Sequence, residues 1–445
     1  MYLERKAYEK LQNWKKTRCG KTALLIEGAR RVGKTTLART FAVREYETFI
    51  HLDFSQINPA IPLLFEQSSF DLDAFFSQLS LLTRTKLIPR RSCIIFDEVQ
   101  LFPLARQMIK HLVADGRFDY IETGSLISIR HNTRNILIPS EEEKLELSPL
   151  DFEEFLNALG NRDLFAHVRT CFNRKKPLGE SLHRELMRLI RLYMVIGGMP
   201  QAVETYAADK DLLAVRDLQK TILSLYRDDI AKYAAGYELK VQSIFDAIPG
   251  ELSKHEKRFK LAALEKNARM RRYEEAFLWL SDSKVVNLCF NATEPSVGLT
   301  MNTDRTLLKC YMADTGLLVS MATEDGTDFE QEVLEALLLK KLDINEGMFF
   351  ENLVAQMLRS AGHKLFFYTQ RLNTKEKIEI DFLIRNKKKI SPIEVKSADN
   401  KSRWSLDMFS EKYRGKLGEK ILVGIKDLQE KDGILFVPVY MTELL

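Results

Sequence analysis

Eight consecutive residues, Gly28-Ala29-Arg30-Arg31-Val32-Gly33-Lys34-Thr35, fit the pattern GxxxxGK[ST]. An apolar, strand-like run from Leu24 to Ile26 leads into them, and TLARTFAVREY, a segment of helical period, follows. This is the strand, turn and helix context that the pattern requires. Glycine lets the backbone curl until successive N–H groups and the N-terminus of the helix face one phosphate, and a side chain there would block the approach. Lys34 supplies a positive charge for the β- and γ-phosphates, the Thr35 hydroxyl is placed to ligate Mg2+, and Thr36 completes the cofactor-binding set. The expected ligands are ATP and Mg2+.

Hydrolysis also needs a carboxylate near the metal and a base for water. Cys93-Ile94-Ile95-Phe96 reads as a buried strand ending in Asp97-Glu98. Asp97 is expected to hold Mg2+ through water, and Glu98 to act as general base. A third strand-like run, Asp119 to Glu122, ends in Thr123-Gly124-Ser125. These small polar groups are candidates to touch the γ-phosphate or the lytic water, with Ser125 joining Lys34 and Glu98 as the catalytic set.

A second group of acids lies near the C-terminus. Glu351 falls in a helical stretch (MFFENLVAQMLRSAG), Asp381 in the strand-like IEIDFLI, and Glu394-Val395-Lys396 in the strand-like PIEVKS. Alternation along a strand puts Glu394 and Lys396 on one face. The order of helical Glu, strand Asp and Glu-x-Lys resembles the PD-(D/E)xK nuclease core, particularly its resolvase-like members. That resemblance implies that Asp381 and Glu394, with the Val395 carbonyl, bind Mg2+, that Lys396 orients or activates a water, and that Glu351 assists through a metal-bound water. The fold also serves as an inactive binding module, so cutting and holding are separate expectations.

The elements that must position these residues change in character along the chain. From Lys21 to about Pro149 short apolar runs (TALLIEG, TFIHLDF, SCIIFDE, DYIETGS) alternate with helical segments, which predicts α/β architecture with a mainly parallel sheet. From Leu150 to about Tyr237 the pattern is helical, broken at Ile196 to Pro200 by IGGMP, which reads as a helix-helix connection. Leu239 to Ala322 mixes short helical stretches with KVVNLCF and KCYMAD, the proportions of a small winged-helix module, and TEDGTD (Thr323 to Asp328) reads as a linker. The expected division is 1–149 for the P-loop core, 150–237 for a helical lid or connector, 238–325 for a winged-helix-like domain and 326–445 for an α/β restriction-endonuclease-like domain.

The bulk numbers fit several folded domains. The chain has 445 residues, more than one core usually supports, and its 45% hydrophobic and 29% charged content is that of a globular protein. A net charge of +5 is too small at this length to argue for nucleic acid by itself. Local clusters carry that argument: Lys254–Lys260 (KHEKRFK), Arg269–Arg272 (RMRR), and Lys387–Lys389 with Lys401 and Arg403. The five cysteines are scattered, without CxxC spacing, the N-terminus lacks a signal-peptide stretch, and eighteen apolar residues nowhere run together. A cytoplasmic location without membrane association is expected.

The series EGARRVGKTTLARTF, CIIFDEVQ, YIETGS, ELSPLDFEEFL, YMVIGGMP and YRDDIAKY resembles prokaryotic AAA+ ATPases that carry a C-terminal domain of unknown function. The resemblance spans most of the chain, and KVVNLCF and KCYMADTGLL are similar to that family's middle region. It implies a homo-oligomer in which an arginine from the neighbouring subunit reaches the γ-phosphate, with Arg130 and Arg134 as candidates. The reading is an AAA+ ATPase coupling its nucleotide cycle to a C-terminal module directed at DNA. Its rivals are a nucleotide-dependent switch whose terminal fold only holds DNA or a protein, and an Mg2+-dependent nuclease regulated by ATP.

Overall fold

A computed structural model describes residues 3–67, 71–124, 140–234, 236–254, 256–266, 268–296, 298–324, 334, 336, 338, 346–373, 376–397 and 403–445. The chain divides into two compact units, Tyr2–Ser148 and Pro149–Leu445.

The first unit is built on five strands: β1 (Ala23–Gly28), β2 (Thr48–Asp53), β3 (Ser92–Asp97), β4 (Asp119–Gly124) and β5 (Glu142–Leu147). Their order is β2-β3-β4-β1-β5, and every pairing is parallel. β1, β3 and β4 are buried along their whole length, as central strands covered on both faces must be. On one face Leu24, Ile26, Cys93 and Ile95 pack with Leu37 and Phe41 of the helix Lys34–Glu45. On the other, Leu25, Ile94 and Phe96 meet Phe65, Phe75 and Ile109 from three further helices. Each such side chain contributes about 1.5–3 kcal/mol by leaving water.

The second unit starts with helices Phe152–Ala158, Arg162–Asn173, Glu180–Ile196, Pro200–Asp209, Leu212–Tyr233 and Glu238–Leu252. The first of them opens on a capping box: Glu154 N–H donates to Asp151 Oδ1 (2.8 Å) and Asp151 N–H to Glu154 Oε2 (3.1 Å). After a short helix, Glu274–Asp282, come β6 (Val286–Ala292), β7 (Thr303–Met312), β8 (Phe366–Arg371), β9 (Lys377–Asn386), β10 (Lys389–Val395), β11 (Lys420–Gly424), β12 (Gln429–Lys431) and β13 (Ile434–Pro438). They form one mixed sheet in the order β12-β13-β11-β10-β9-β8-β6-β7. The β6–β7 hairpin, carried by KVVNLCF and KCYMAD, therefore continues the terminal sheet, because β6 pairs in parallel with β8. A lone two-stranded hairpin is marginal, and joining a sheet removes one of its edges.

IGGMP lies at a junction inside this unit. Gly197 has φ 76° and ψ −171°, a region essentially restricted to glycine, and a Cβ there would collide with Asp314. Gly198 N–H donates to Asp314 Oδ2 at 2.6 Å, and the Gly198 carbonyl accepts from Leu150 N–H at 2.7 Å. The Gln219 amide donates to the Ile196 carbonyl (2.7 Å), and Gln356 Oε1 accepts from both the N–H and the hydroxyl of Thr315 (2.8 and 2.7 Å). The segments SPLDFEEFL, YMVIGGMP and YMADTG thus meet in a hydrogen-bonded, buried packing node.

Candidate functional site

Parallel pairing brings three strand ends of the first unit to one edge. Glu27 is in register with Gly124 and Phe96 with Glu122, so Gly28, Asp97 and Gly124 end side by side. From β1 the chain crosses to β2 at the far edge and returns through β3 and β4, while β5 lies on the other side of β1. Open α/β sheets bind ligands outside the carboxyl ends of their strands at such a reversal.

Gly28 sits so close to β5 that a Cβ would collide with the Leu147 carbonyl. Gly33 (φ 94°) turns the loop into the helix Lys34–Glu45. Lys34 is buried, and its Nζ donates to the carbonyls of Gly28 (3.1 Å) and Ala29 (3.0 Å) within the same loop. The Thr35 hydroxyl donates to Asp97 Oδ1 at 2.9 Å. Thr123 also donates to Asp97 Oδ1, and His51 Nε2 lies 3.1 Å from Oδ2. Burial opposes ionisation of Asp97, but the hydrogen bonds from His51, Thr123 and Thr35 hold its carboxyl below the usual range. A buried carboxylate beside a threonine hydroxyl is a hard oxygen donor set, and it fits Mg2+.

Glu98 has φ 54°, a left-handed conformation uncommon for a residue with a side chain, and its carboxylate accepts from the Gln100 amide. His51 and Gln100 were not expected at this site. His51 reaches Asp97 because β2 and β3 lie side by side, a pairing that no local motif announces. The DEVQ run does carry a signal for Gln100, two residues beyond Glu98. Ser125, Arg130 and Arg134 lie outside the described residues.

The C-terminal acids separate into two groups. Glu351 is buried and accepts from Lys309 Nζ (2.9 Å), from the Tyr311 hydroxyl and from Lys257. Asp381 accepts the Val395 N–H at 2.9 Å and lies 3.5 Å from Lys309. Burial and the neighbouring Glu351 charge push Asp381 up to about 6. Glu394 instead pairs with Lys396 at 2.7 Å; burial raises its pKa, and Asp407 of the helix Trp404–Lys412 is the further charge that acts on it.

A one-residue bulge in β9 explains the separation. Tyr368 pairs with Ile380 but Phe366 with Leu383, so β9 has an extra residue around Asp381 and Phe382. Ile380 and Leu383 enter the same core, while Phe382 turns to Tyr311 (5.6 Å between rings) and Asp381 to Lys309. Ile393 is paired with Phe382, which leaves Glu394 on the opposite face. The structure thus brings Glu351 and Asp381 to Lys309 and leaves Glu394 with Lys396. Among the described residues, no three His, Cys, Asp or Glu side chains form a metal-holding group.

The basic segment KHEKRFK carries ion pairs, including one to the buried Glu351, while Lys260 stays exposed. Lys257 donates to Glu351, Lys254 pairs with Glu251, and Lys260 with Glu256 at 3.2 Å. Arg385, Lys387, Lys388 and Lys389, at the β9–β10 turn, are exposed.

Residues 20–156 match the family model described as AAA domain. The site and the parallel sheet carrying it define a P-loop AAA ATPase domain, and the chain is an ATPase. Residues 187–328 and 346–442 match two models described as domains of unknown function, DUF8612 and DUF4143. No curated protein matches the chain. Among solved structures, the Walker-type ATPase of Pyrococcus abyssi is 15% identical, with 72% of this chain and 96% of that one covered and a TM-score of 0.41. The Aeropyrum pernix ORC1 protein in complex with DNA is 12% identical, covering 75% and 95%, with a TM-score of 0.27. The Drosophila ORC bound to DNA is 14% identical over the same shares, with a TM-score of 0.29. No helix among the described residues is long and apolar enough to cross a membrane.

Proposed function

We propose that the chain couples ATP hydrolysis at the Gly28–Thr35 loop to a C-terminal module that holds nucleic acid. The observation that carries the nucleotide half is the contact from Thr35 to Asp97 at 2.9 Å, across 62 positions of sequence. In this reading Lys34 exchanges its loop carbonyls for the β- and γ-phosphate oxygens, and the helix N-terminus adds its N–H groups to the same anion. Thr35 and Asp97 would hold Mg2+, which when bound neutralises charge building on the phosphate oxygens. Glu98 takes the proton of the attacking water at a carboxylate oxygen, and Gln100 orients that carboxylate. His51 and Thr123 keep Asp97 in place and ionised.

The nucleic-acid half rests on exposed charge, namely the β9–β10 turn and Arg269 and Arg271 ahead of the helix Glu274–Asp282. Such side chains contact phosphate without reading sequence. Holding is favoured over cutting because Glu394 pairs with Lys396, whereas Asp381 and Glu351 both engage Lys309. Fluorescence anisotropy with labelled single- and double-stranded DNA tests the coupling. Affinity is expected to differ between a non-hydrolysable ATP analogue and ADP and to fall steeply with salt. Equal affinity in both nucleotide states, or no binding at low salt, would contradict it.

A further inference from the structure

The bulged face of the terminal sheet contains a completely buried lysine. Lys309, on β7, is 1% exposed, and its Nζ lies 2.9 Å from Glu351, 3.4 Å from Glu379 and 3.5 Å from Asp381. Lys257 approaches Glu351 from the other side, and Lys377 pairs with Glu379. Three carboxylates from one helix and one strand thus point at a single ammonium. A buried ion is tolerated only when opposite charges and hydrogen bonds surround it, and here each of the three acids contributes.

We infer that Lys309 is an internal cation, filling the centre of an acid cluster (Glu351, Glu379 and Asp381) that could otherwise draw in a divalent ion. The donor set is suited to Mg2+ or Mn2+ in chemistry, with hard carboxylate oxygens from a helix and a neighbouring strand. Its centre, however, is filled. The ammonium holds the acids at 2.9 to 3.5 Å, whereas a metal would need their oxygens drawn in to about 2.1 Å, and Lys309 keeps them apart. Lys309 cannot serve as a base in place of Lys396, because it is sealed from water and engaged by three anions. The terminal fold therefore works without a divalent ion of its own. The inference rests on the reading of this fold as a nucleic-acid-holding module, and it explains why that module would hold rather than cut.

The test uses the full chain carrying Asp97→Asn, which removes a ligand of the nucleotide-site ion, with Mn2+ alone as probe, followed by the spin-resonance signal of free Mn2+ and by thermal melting. The parent should take up no Mn2+ at millimolar concentration, and its Tm should not move. Adding Lys309→Met should create about one site, raise Tm in Mn2+ by about 4 °C or more, and lose both effects on addition of Asp381→Asn. If Lys309→Met does not fold without metal, Mn2+ should restore its folding. Uptake by the parent that Asp381→Asn abolishes would overturn the inference, as would a Lys309→Met chain that neither binds Mn2+ nor is rescued by it. DNA affinity measured on the same proteins is a separate readout, so loss of the holding activity is distinguishable from failure of this inference.

Discussion

At Asp97 the hydroxyls of Thr35 and Thr123 share one carboxylate oxygen while His51 approaches the other. The charge that would face Mg2+ is thus fixed by neighbours on two other strands and the phosphate-loop helix. Lys34→Ala is expected to abolish or greatly weaken MgATP binding, because the loop loses its fixed side-chain cation; isothermal titration of the folded variant measures this, and unchanged affinity would count against the loop assignment. Glu98→Gln should keep nucleotide binding but lower turnover by a factor of about 100 or more, the scale of a lost general base. At this scale the Gly28–Thr35 loop and Asp97-Glu98 stand out in the sequence because each is a local pattern next to an apolar strand, and the structure brings Thr35 to Asp97. His51 was not legible, because its role depends on which strands pair, and a histidine in TFIHLDF carries no mark of its neighbour.

The strands differ in how far their sequences announced them. β1, β3 and β4 are short apolar runs, and their full burial follows from a central place in a parallel sheet. β5 is EEKLEL, four charged residues in six, and it went unread because an edge strand buries only alternate positions, here Leu145 and Leu147. The β9 bulge was equally hidden, and one extra residue redirected the acids around it. The glycine junction is the element whose disturbance should be most visible. Gly197→Ala should cost at least about 2 kcal/mol, through its backbone conformation and the collision with Asp314, and appear as a fall in Tm.

Asp314 gives the junction a pH dependence as well. Burial pushes its carboxyl up to about 6, even though it accepts N–H groups of Gly198 and Leu317. Since the unfolded value is about 3.9, the native state binds the proton more tightly. Its contribution is therefore present at low pH and lost as pH rises from about 4 through about 6, by no more than about 3 kcal/mol. Asp314→Asn should be less stable than the parent, with a Tm difference that narrows as pH rises through this window. A constant or widening difference would show that Asp314 is not proton-linked.

Across the whole molecule, the charge clusters differ in how far they are tied up by ion pairs. In KHEKRFK Lys257 is held by the buried Glu351, while Lys254 and Lys260 pair with Glu251 and Glu256 but keep more of their side chains in solvent; the β9–β10 turn leaves its lysines exposed. Replacing Lys387 and Lys388 with glutamate should weaken DNA binding and lower the slope of log affinity against log salt by about 1 per lysine in contact with phosphate. Changing Lys257, whose ammonium is held by the buried Glu351, should have little effect on that slope. The proposed link between nucleotide turnover and nucleic acid is read from steady-state ATP hydrolysis with and without saturating DNA. Hydrolysis should depend on Mg2+ and change rate when DNA is added, and Glu98→Gln should lower turnover at least about 100-fold under both conditions. A rate indifferent to every form of DNA, or full turnover in the Glu98→Gln chain, would contradict this reading.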